Sequence, residues 1–172
     1  MLTVANLPKG RFPNQLTREQ RRPLLYMPDR EISPEESYHL QRFVDAQAST
    51  YEQARSELAA GQKRSHWMWF IFPQIRGLGS SSMAQRFAIS GAAEASAYLA
   101  HPVLGARLRA CTDLVNAVEG RSIEQIFGYP DDLKFHSSMT LFAQVSEDNA
   151  VFTTALGRYF SGKVDRSTLE RL

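Results

Sequence analysis

Apolar residues recur three or four positions apart through most of the chain, from residue 38 to residue 172. This spacing places them on one face of an α-helix, whereas a half-buried strand would show strict alternation. The first stripe predicts one long helix, ended by Gly61, with the residues Leu40, Phe43, Val44, Gln47, Tyr51, Ala54 and Leu58. Further stripes predict helices over residues 92–99 and 103–118, and three more after residue 131.

Short polar residues stand before many of these stripes, where their side chains can cap the first turn of a helix. The clearest signal is a capping box of Ser122 and Gln125, which predicts a turn of helix ended by Gly128. The other predicted caps are Ser65, the serines at 80–82, Asp131, Asn149 and Asp165. The sequence therefore predicts an all-α fold, a single compact domain of about seven or eight helices.

Residues 1–37 follow neither period. Five of the eight prolines and six basic residues lie in this segment, and prolines at that spacing interrupt both helices and central strands. We therefore predict two parts, a proline-rich basic arm at 1–37 and a helical domain at 38–172. Such an arm could contact nucleic acid, although solvated surface charge explains its composition more economically.

Composition and charge exclude several classes of protein. The formal net charge is only +2, whereas a surface dedicated to nucleic acid needs concentrated positive charge. Cys111 is the single cysteine, so an internal disulfide and a thiolate-rich metal site are excluded. It lies in an apolar helical series and is expected to be a buried, inert thiol. We predict no metal and no cofactor.

No apolar run approaches the ~20 residues that span a bilayer. The first residues also lack the continuous apolar segment of a secretory signal. We therefore expect a cytoplasmic protein that does not bind membranes, and the sequence leaves its oligomeric state open.

The most aromatic stretch of the chain is "KRSHWMWFIFPQIRGLGSS", residues 63–81. With Ser65 as its cap, it predicts two turns of helix from His66 to Phe72, halted by Pro73. Both faces of this helix are apolar, so its aromatic residues are expected in the core. Trp67 or Trp69 could instead stack on a ligand ring.

The polar residues at the two ends of this stretch are candidates for binding an anion. Lys63 and His66 lie at the predicted helix start, where backbone N–H groups are unpaired. At the other end, the glycines of "GLGSS" could let the backbone approach a ligand, and the serines supply hydroxyls. The pattern is neither a Walker loop nor a dinucleotide fingerprint, and a simple turn would also explain the glycines.

A second polar cluster lies in "DDLKFHSSMTLF". Lys134 and Ser138 are one helical turn apart, so they could act as base and nucleophile. Alternatively, Asp131 could neutralise Lys134 from three positions away. Gln47 faces the predicted core, so it needs either a nearby cavity or a backbone carbonyl as its hydrogen-bond partner.

Several segments resemble one bacterial family, the domain-of-unknown-function family eighteen-ten. They are "SHWMWFIFPQIRGLG", "YLAHPVLGARL", "IFGYPDDLKFHSSMTLF" and "DRSTLERL". The resemblance runs from about residue 40 to residue 172 and implies a compact, mostly helical fold, without implying a catalytic mechanism. Relatives are sometimes labelled calpastatin, although nothing in this sequence resembles a protease inhibitor. Ser80 replaces a residue that is often basic in the family, which weakens anion binding by that loop.

The family pattern includes all our candidate residues. The predicted catalytic residues are His66, Lys134 and Ser138, with His66 as acid or base because histidine titrates near neutrality. The predicted ligand-binding residues are Gln47, Tyr51, Lys63, Trp67, Trp69, Gln74, Gly77, Gly79, Ser81 and Ser137.

Three hypotheses follow from these residues. In the first, the pocket binds or hydrolyses a polar, phosphate-bearing small molecule such as a nucleotide or an ADP-ribose derivative. In the second, the domain is an interaction module that binds protein or nucleic acid through a groove or through the arm. In the third, the polar residues only pair buried backbone groups. The sequence alone does not decide whether the protein is an enzyme.

Overall fold

A computed structural model of the protein describes residues 37–172, which form ten helices and no β-strand. The helices are α1 (Gln41–Ala48), α2 (Tyr51–Ala59), α3 (Met68–Ile71), α4 (Ser82–Arg86), α5 (Ala92–Ala100), α6 (Leu104–Asn116), α7 (Ile123–Phe127), α8 (Asp131–Val145), α9 (Ala150–Phe160) and α10 (Arg166–Leu169). The predicted all-α class is confirmed, with ten helices in this part of the chain rather than seven or eight. The predicted arm, apart from Ser37, lies outside the described residues.

The predicted long helix from residue 38 to Gly61 is wrong, because the chain turns between α1 and α2. The N–H of Thr50 donates to the Gln47 carbonyl at 3.2 Å, which ends α1, and α2 then starts at Tyr51. The apolar spacing continues through this turn, so the period could not reveal it. Gly61 does end α2, with a positive φ of 65°, a conformation that glycine adopts without steric cost.

The aromatic stretch forms part of the core, as predicted, but its helix is shorter than expected. α3 is a single turn, and its N-cap position is Trp67, without a side-chain capping bond. The predicted cap at Ser65 is therefore wrong, and His66 lies outside the helix. Trp67 and Phe72 are fully buried, which agrees with the core role expected of most of these aromatic residues.

Helix α8 lies at the centre of the fold and packs against α5, α7, α9 and α10. Its Phe135 stacks on Phe127 with ring centroids 4.9 Å apart, and it meets Phe72 edge to face at 5.0 Å. Because aromatic pairs favour these two geometries, one side chain of α8 joins α7 to the aromatic stretch. The packing of α8 against its neighbours therefore also determines where the polar residues of its first turn lie.

The capping predictions are confirmed at three sites. Ser122 and Gln125 form the predicted box, Ser81 accepts a hydrogen bond from the N–H of Ala84, and Asp165 accepts one from Ser167. Besides Ser65, two capping predictions are wrong, those for Asn149 and Asp131. Asn149 occupies the N-cap position without a side-chain capping bond, and instead donates from its amide to the Ala143 carbonyl.

The other capping error concerns Asp131, which is the first helical residue of α8, after Pro130 at the cap position. Its carboxylate binds two lysines instead of capping the helix.

Cys111 is fully buried in α6, as predicted, and its burial raises the pKa of the thiol to about 12. A thiol that stays protonated at neutral pH is a poor nucleophile. None of the helices within residues 37–172 is both long and apolar enough to cross a membrane.

Candidate functional site

The start of the aromatic stretch is held by one carboxylate, that of Glu57 near the end of α2. It accepts hydrogen bonds from the N–H groups of Arg64 and Ser65 at 2.8 and 3.1 Å. It also accepts from Ser65 Oγ at 2.6 Å and from Trp67 Nε1 at 2.8 Å. We call this arrangement the Glu57 clamp. Glu57 was not predicted, because its partners lie 7 to 10 positions away, outside any helical spacing.

The clamp changes the acidity of Glu57. Burial alone would raise the pKa of this carboxyl, but hydrogen bonds from Ser65, Arg64 and Trp67 favour the charged form and lower the pKa to about 2. Glu57 is therefore an ionised structural group at neutral pH. The hydroxyl of Ser65 completes the clamp rather than capping a helix.

Asp131 at the start of α8 binds two lysines at once. Its Oδ2 lies 2.7 Å from Lys63 Nζ, and its Oδ1 lies 2.7 Å from Lys134 Nζ. Burial raises the pKa of Asp131, but bonds from Lys134 and Lys63 outweigh it and leave that pKa below its usual value. Two ammonium groups share one carboxylate, so this basic triad keeps a net charge of +1.

Both tryptophans lie beneath the triad. Lys63 Nζ is 5.2 Å from the centre of the Trp67 ring, and Lys134 Nζ is 4.9 Å from the centre of the Trp69 ring. These are cation–π distances. Trp67 is fully buried, whereas Trp69 is only half-buried. The predicted pairing of Lys134 with Asp131 is confirmed, although Lys63 shares that carboxylate, and Trp69 is an unpredicted second partner of Lys134.

A surface cleft of about 370 Å³ lies beside Lys134, and we call it the Lys134 cleft. One side is the loop after α3, with Gln74, Leu78 and Gly79. The other side is the start of α8, with Pro130, Leu133, Lys134, His136 and Ser137. Asp165 and Ser167, at the start of α10, complete it. The volume falls within the range of small-molecule sites.

Asp165 is the acidic group of this cleft. Its carboxylate accepts hydrogen bonds from Thr168 Oγ1 at 2.6 Å, Ser137 Oγ at 2.8 Å and the N–H of Ser167 at 3.3 Å. Burial raises the pKa of Asp165, but these bonds and the nearby His136 lower it below its usual value. An ionised carboxylate can accept hydrogen bonds from ligand hydroxyls. From the sequence we predicted only a capping role for Asp165.

Four of the predicted site residues line the Lys134 cleft: Gln74, Gly79, Lys134 and Ser137. Gln74 and Gly79 lie more than 50 positions before Lys134 and Ser137 in the sequence, and the fold brings these two pairs together. His66 is exposed and is not among the residues that line the cleft. The predicted Ser–Lys pair is not formed, because Ser138 is fully buried and its hydroxyl has no hydrogen-bond partner within residues 37–172.

Gln47 and Tyr51 lie away from the Lys134 cleft. Gln47 donates to the Phe70 carbonyl at 2.7 Å and accepts from Arg107 at 3.2 Å, so the backbone-carbonyl alternative is confirmed. Tyr51 is half-buried beneath the Arg107 guanidinium, which lies 4.3 Å from the ring centre. These partners account for both residues without a ligand.

Local structure also accounts for the glycines and for Ser81. Gly77 has a φ of 93°, which favours glycine. At Gly79, an added Cβ would lie 2.5 Å from the Cβ of Ala84, so the loop packs directly against α4. Ser81 caps α4. The simple-turn alternative therefore explains these residue types, while the loop itself still lines the cleft.

A second cleft, of about 460 Å³, lies on the other side of the same loop, and we call it the Arg76 cleft. Its loop side consists of Gln74, Ile75, Arg76, Gly77 and Gly79. Its other side consists of Ala84, Gln85 and Ala88, in and after α4. Gln74 and Gly79 border both clefts, so the loop forms a ridge between them. Sequence reasoning missed Arg76, because nothing local distinguishes it from other exposed arginines.

No group of His, Cys, Asp or Glu side chains within residues 37–172 is arranged to hold a metal ion. The polar groups of the Lys134 cleft instead suit an organic ligand with hydroxyl or anionic groups, since they combine an ammonium, an amide and a carboxylate. A hydrolytic reaction would need a nucleophile near a base, and the Ser138 hydroxyl does not provide one.

The fold and the cleft define a small all-α protein with a polar site between a loop and its central helix. The chain belongs to the family described as "Protein of unknown function (DUF1810)", which matches residues 37–172. It is also similar to the crystal structure of the conserved hypothetical protein Rv1873 from Mycobacterium tuberculosis, with 57% sequence identity and a TM-score of 0.78. That match covers 79% of this chain and 97% of the other. No curated protein matches the chain.

Proposed function

We propose that the protein binds a polar, phosphate-bearing small molecule, of the nucleotide or ADP-ribose class, in the Lys134 cleft. The observation that carries this proposal is the meeting of Gln74 and Gly79 with Lys134 and Ser137 in one cleft. Residues that are distant in sequence and polar in character converge there, which is typical of a ligand site.

Lys134 supplies the attraction for an anion. Its ammonium binds one oxygen of Asp131, whose other oxygen is occupied by Lys63. A single carboxylate cannot neutralise two ammonium groups, so the triad retains positive charge beside the cleft. Lys134 also has three donors, so it can hold Asp131 and still donate to a phosphate oxygen.

The other polar groups suit the sugar of such a ligand. Asp165 can accept hydrogen bonds from ribose hydroxyls, and the amide of Gln74 can donate as well as accept. Leu78 and Leu133 supply apolar surface at the same cleft, against which a ring can pack. The site thus combines apolar contacts with a few polar groups.

Binding without chemistry is the simpler form of this proposal. Lys134 is an ion-paired ammonium rather than a free base, and the single proton of the Ser137 hydroxyl is already shared between Asp165 and the Leu133 carbonyl. Product analysis after incubation with ADP-ribose decides whether hydrolysis also occurs. Product that forms with the wild type and not with Lys134→Gln would make the protein an enzyme.

Isothermal titration with ADP-ribose and AMP tests the binding. Lys134→Gln should weaken the binding of ADP-ribose at least tenfold, because a hydrogen bond to a charged group contributes about 1.5–3 kcal/mol. Gln74→Ala should weaken the binding of ADP-ribose about fivefold. Arg55→Gln is the matched control, since it removes one positive charge from an exposed pair with Glu52 and should change affinity less than twofold.

Equal affinity of Lys134→Gln and the wild type would overturn the proposal, as would the absence of binding by either probe at millimolar concentration. Circular dichroism of each variant separates lost binding from lost structure. Lys63 still pairs with Asp131 in the Lys134→Gln variant, so we expect that variant to fold.

The interaction-module hypothesis is favoured by one observation, an exposed apolar rim formed by Leu133, which lines the Lys134 cleft, and by Tyr129, which precedes the lining residue Pro130. Tyr129 is 83% exposed and Leu133 is 51% exposed, on either side of Pro130. Aromatic residues are enriched in protein interfaces. If this rim mediates self-association, the molar mass of the wild type measured by light scattering should rise with protein concentration. The Tyr129→Ser, Leu133→Ser double variant should stay monomeric. Identical behaviour of the two proteins would remove the rim from the account.

A further inference from the structure

The loop between the two clefts leaves several of its backbone donors unused. Among residues 37–172, the N–H groups of Gly77, Gly79 and Ser80 donate no hydrogen bond to the protein, whereas the N–H of Leu78 closes the turn at residues 76–77. Gly77, Gly79 and Ser80 are exposed and Leu78 is half-buried. Most backbone donors in folded proteins are paired or hydrated, so an anion could replace water at these three N–H groups.

Two arginines without a carboxylate partner lie at this loop. Arg171 donates to the Ser167 carbonyl at 2.7 Å, and its Nε lies 3.2 Å from the position that a Cβ on Gly77 would occupy. Arg76 directly precedes Gly77 and lines the Arg76 cleft. Within the described part of the chain, neither guanidinium forms an ion pair. Their charges are therefore available to an anion from solution.

Arg171 lies next to residues of both clefts. It donates to the carbonyl of Ser167, which lines the Lys134 cleft, and its Nε approaches Gly77, which lines the Arg76 cleft. Arg171 itself lines neither cleft, so its guanidinium lies beside the ridge between them rather than inside either one.

We propose that the ligand extends over both clefts and that its most anionic part, a diphosphate or an equivalent linker, lies on the ridge formed by residues 77–80. The inference rests on the proposed function and refines its ligand class. Arg171 and the free N–H groups would hold one phosphate of the linker, and Lys134, which lines the Lys134 cleft together with Leu78 and Gly79, would hold the other. One arm of the ligand would occupy the Lys134 cleft, and the other arm would occupy the Arg76 cleft.

The chemistry of the parts fits such a ligand. A guanidinium is always charged, and it can form two parallel hydrogen bonds with phosphate oxygens. Backbone N–H groups are suitable donors to the same oxygens. Each cleft has the volume of a small-molecule site, which is appropriate for one nucleoside-sized arm. A ligand with a single arm would leave one cleft empty.

Titrations with inorganic pyrophosphate, AMP and ADP-ribose test this inference. ADP-ribose should bind at least tenfold more tightly than AMP, because it carries a diphosphate and a second arm. Arg171→Gln should weaken the binding of both pyrophosphate and ADP-ribose at least fivefold. The matched control is Arg166→Gln at the start of α10, whose arginine is exposed and paired with Glu170, and it should change either affinity less than twofold.

The outcomes separate this inference from the proposed function. If Lys134→Gln weakens the binding of AMP while Arg171→Gln and Arg166→Gln have the same affinities, the proposal of a bridging ligand is wrong and the proposed binding site in the Lys134 cleft is retained. If AMP binds as tightly as ADP-ribose, the second arm is wrong. If Lys134→Gln leaves every affinity unchanged while Arg171→Gln lowers that of pyrophosphate, the ridge is an anion site and the Lys134 cleft fails.

Discussion

The two ends of the aromatic stretch differ in how their polar groups are paired. At its start, the backbone and side chain of Ser65 and the indole N–H of Trp67 all donate to Glu57. At its end, the N–H groups of Gly77, Gly79 and Ser80 have no partner within residues 37–172. The polar side chains at the start are thus paired within the fold, whereas the exposed N–H groups at the end are not.

This difference indicates which end has which role. Buried polar groups that are already paired stabilise the fold and have little left to offer a ligand. Unpaired groups beside two clefts keep their hydrogen-bonding capacity for a molecule from outside. Sequence motifs present both ends as equal candidates, whereas the hydrogen bonds explain the first end as structural and leave the second end as the candidate for binding.

The largest effect that we predict is at the Glu57 clamp. Glu57→Ala removes the acceptor for the indole of fully buried Trp67 and for three donors at Arg64 and Ser65. An unsatisfied buried donor costs about 1–3 kcal/mol, so we expect a loss of about 3 kcal/mol in urea unfolding. Glu52→Gln, on the exposed side of the same helix, should change stability by less than ~0.5 kcal/mol. Similar values for both variants would contradict the clamp.

The clamp also predicts a pH dependence of stability. The pKa of Glu57 is about 2 when folded and 4.5 without its partners, a difference of about 3 kcal/mol. Because the folded pKa is the lower one, this stabilisation is complete above pH 4.5 and is lost as the pH falls towards 2.

Urea unfolding from pH 7 to pH 2 measures this dependence. Asp131 and Asp165 also have lowered pKa values, so the Glu57→Gln variant loses stability in acid as well. We expect the gap between wild type and variant to close below pH 4. Parallel curves across the range would show that Glu57 is not the group responsible.

A smaller loss of stability is expected from a substitution in the loop at the end of the stretch, because there it disturbs packing rather than hydrogen bonding. In Gly79→Ala the new Cβ would lie 2.5 Å from the Cβ of Ala84, so the loop must move, at a cost of about 2 kcal/mol. Adding Ala84→Gly should recover part of this loss. Gly157→Ala is the control, because nothing lies within 4 Å of its new Cβ, and it should be neutral or stabilising. Additive losses in the double variant would refute the contact.

The smallest effects come from two neighbouring residues of the first end. Ser65→Ala removes one hydrogen bond to Glu57 and should cost about 1 kcal/mol. His66→Ala should change stability by less than ~0.5 kcal/mol, because the side chain is exposed. Titration of ADP-ribose with both variants should give wild-type affinity. Weakened binding by His66→Ala alone would return this residue to the candidate site.

The features that sequence reasoning predicted well are local. The capping box of Ser122 and Gln125 and the cap at Ser81 depend on residues three positions apart, and the structure has both. The missed break between α1 and α2 is local too, but the apolar spacing continues through it from Gln47 to Tyr51. The spacing of apolar residues indicates which side of a helix is buried, but it does not indicate whether the helix is continuous.

The parts that sequence reasoning missed depend on contacts between distant segments. Asp131 reaches Lys63, 68 positions earlier, as well as its own neighbour Lys134. The sequence could suggest the local pair from its spacing, whereas the distant pair depends on how α8 packs. The same limit applies to Arg171 and Gly77, which only the fold brings together.

The contact between Lys134 and Trp69 gives the protein its own optical reporter. Tryptophan emission responds to a charge near the indole, and the Lys134 ammonium lies 4.9 Å from the centre of the Trp69 ring. The other tryptophan, Trp67, is fully buried and hydrogen-bonded to Glu57, so it forms a constant background. A ligand that draws Lys134 away from the half-buried indole would therefore change the colour of the protein's fluorescence without any added label.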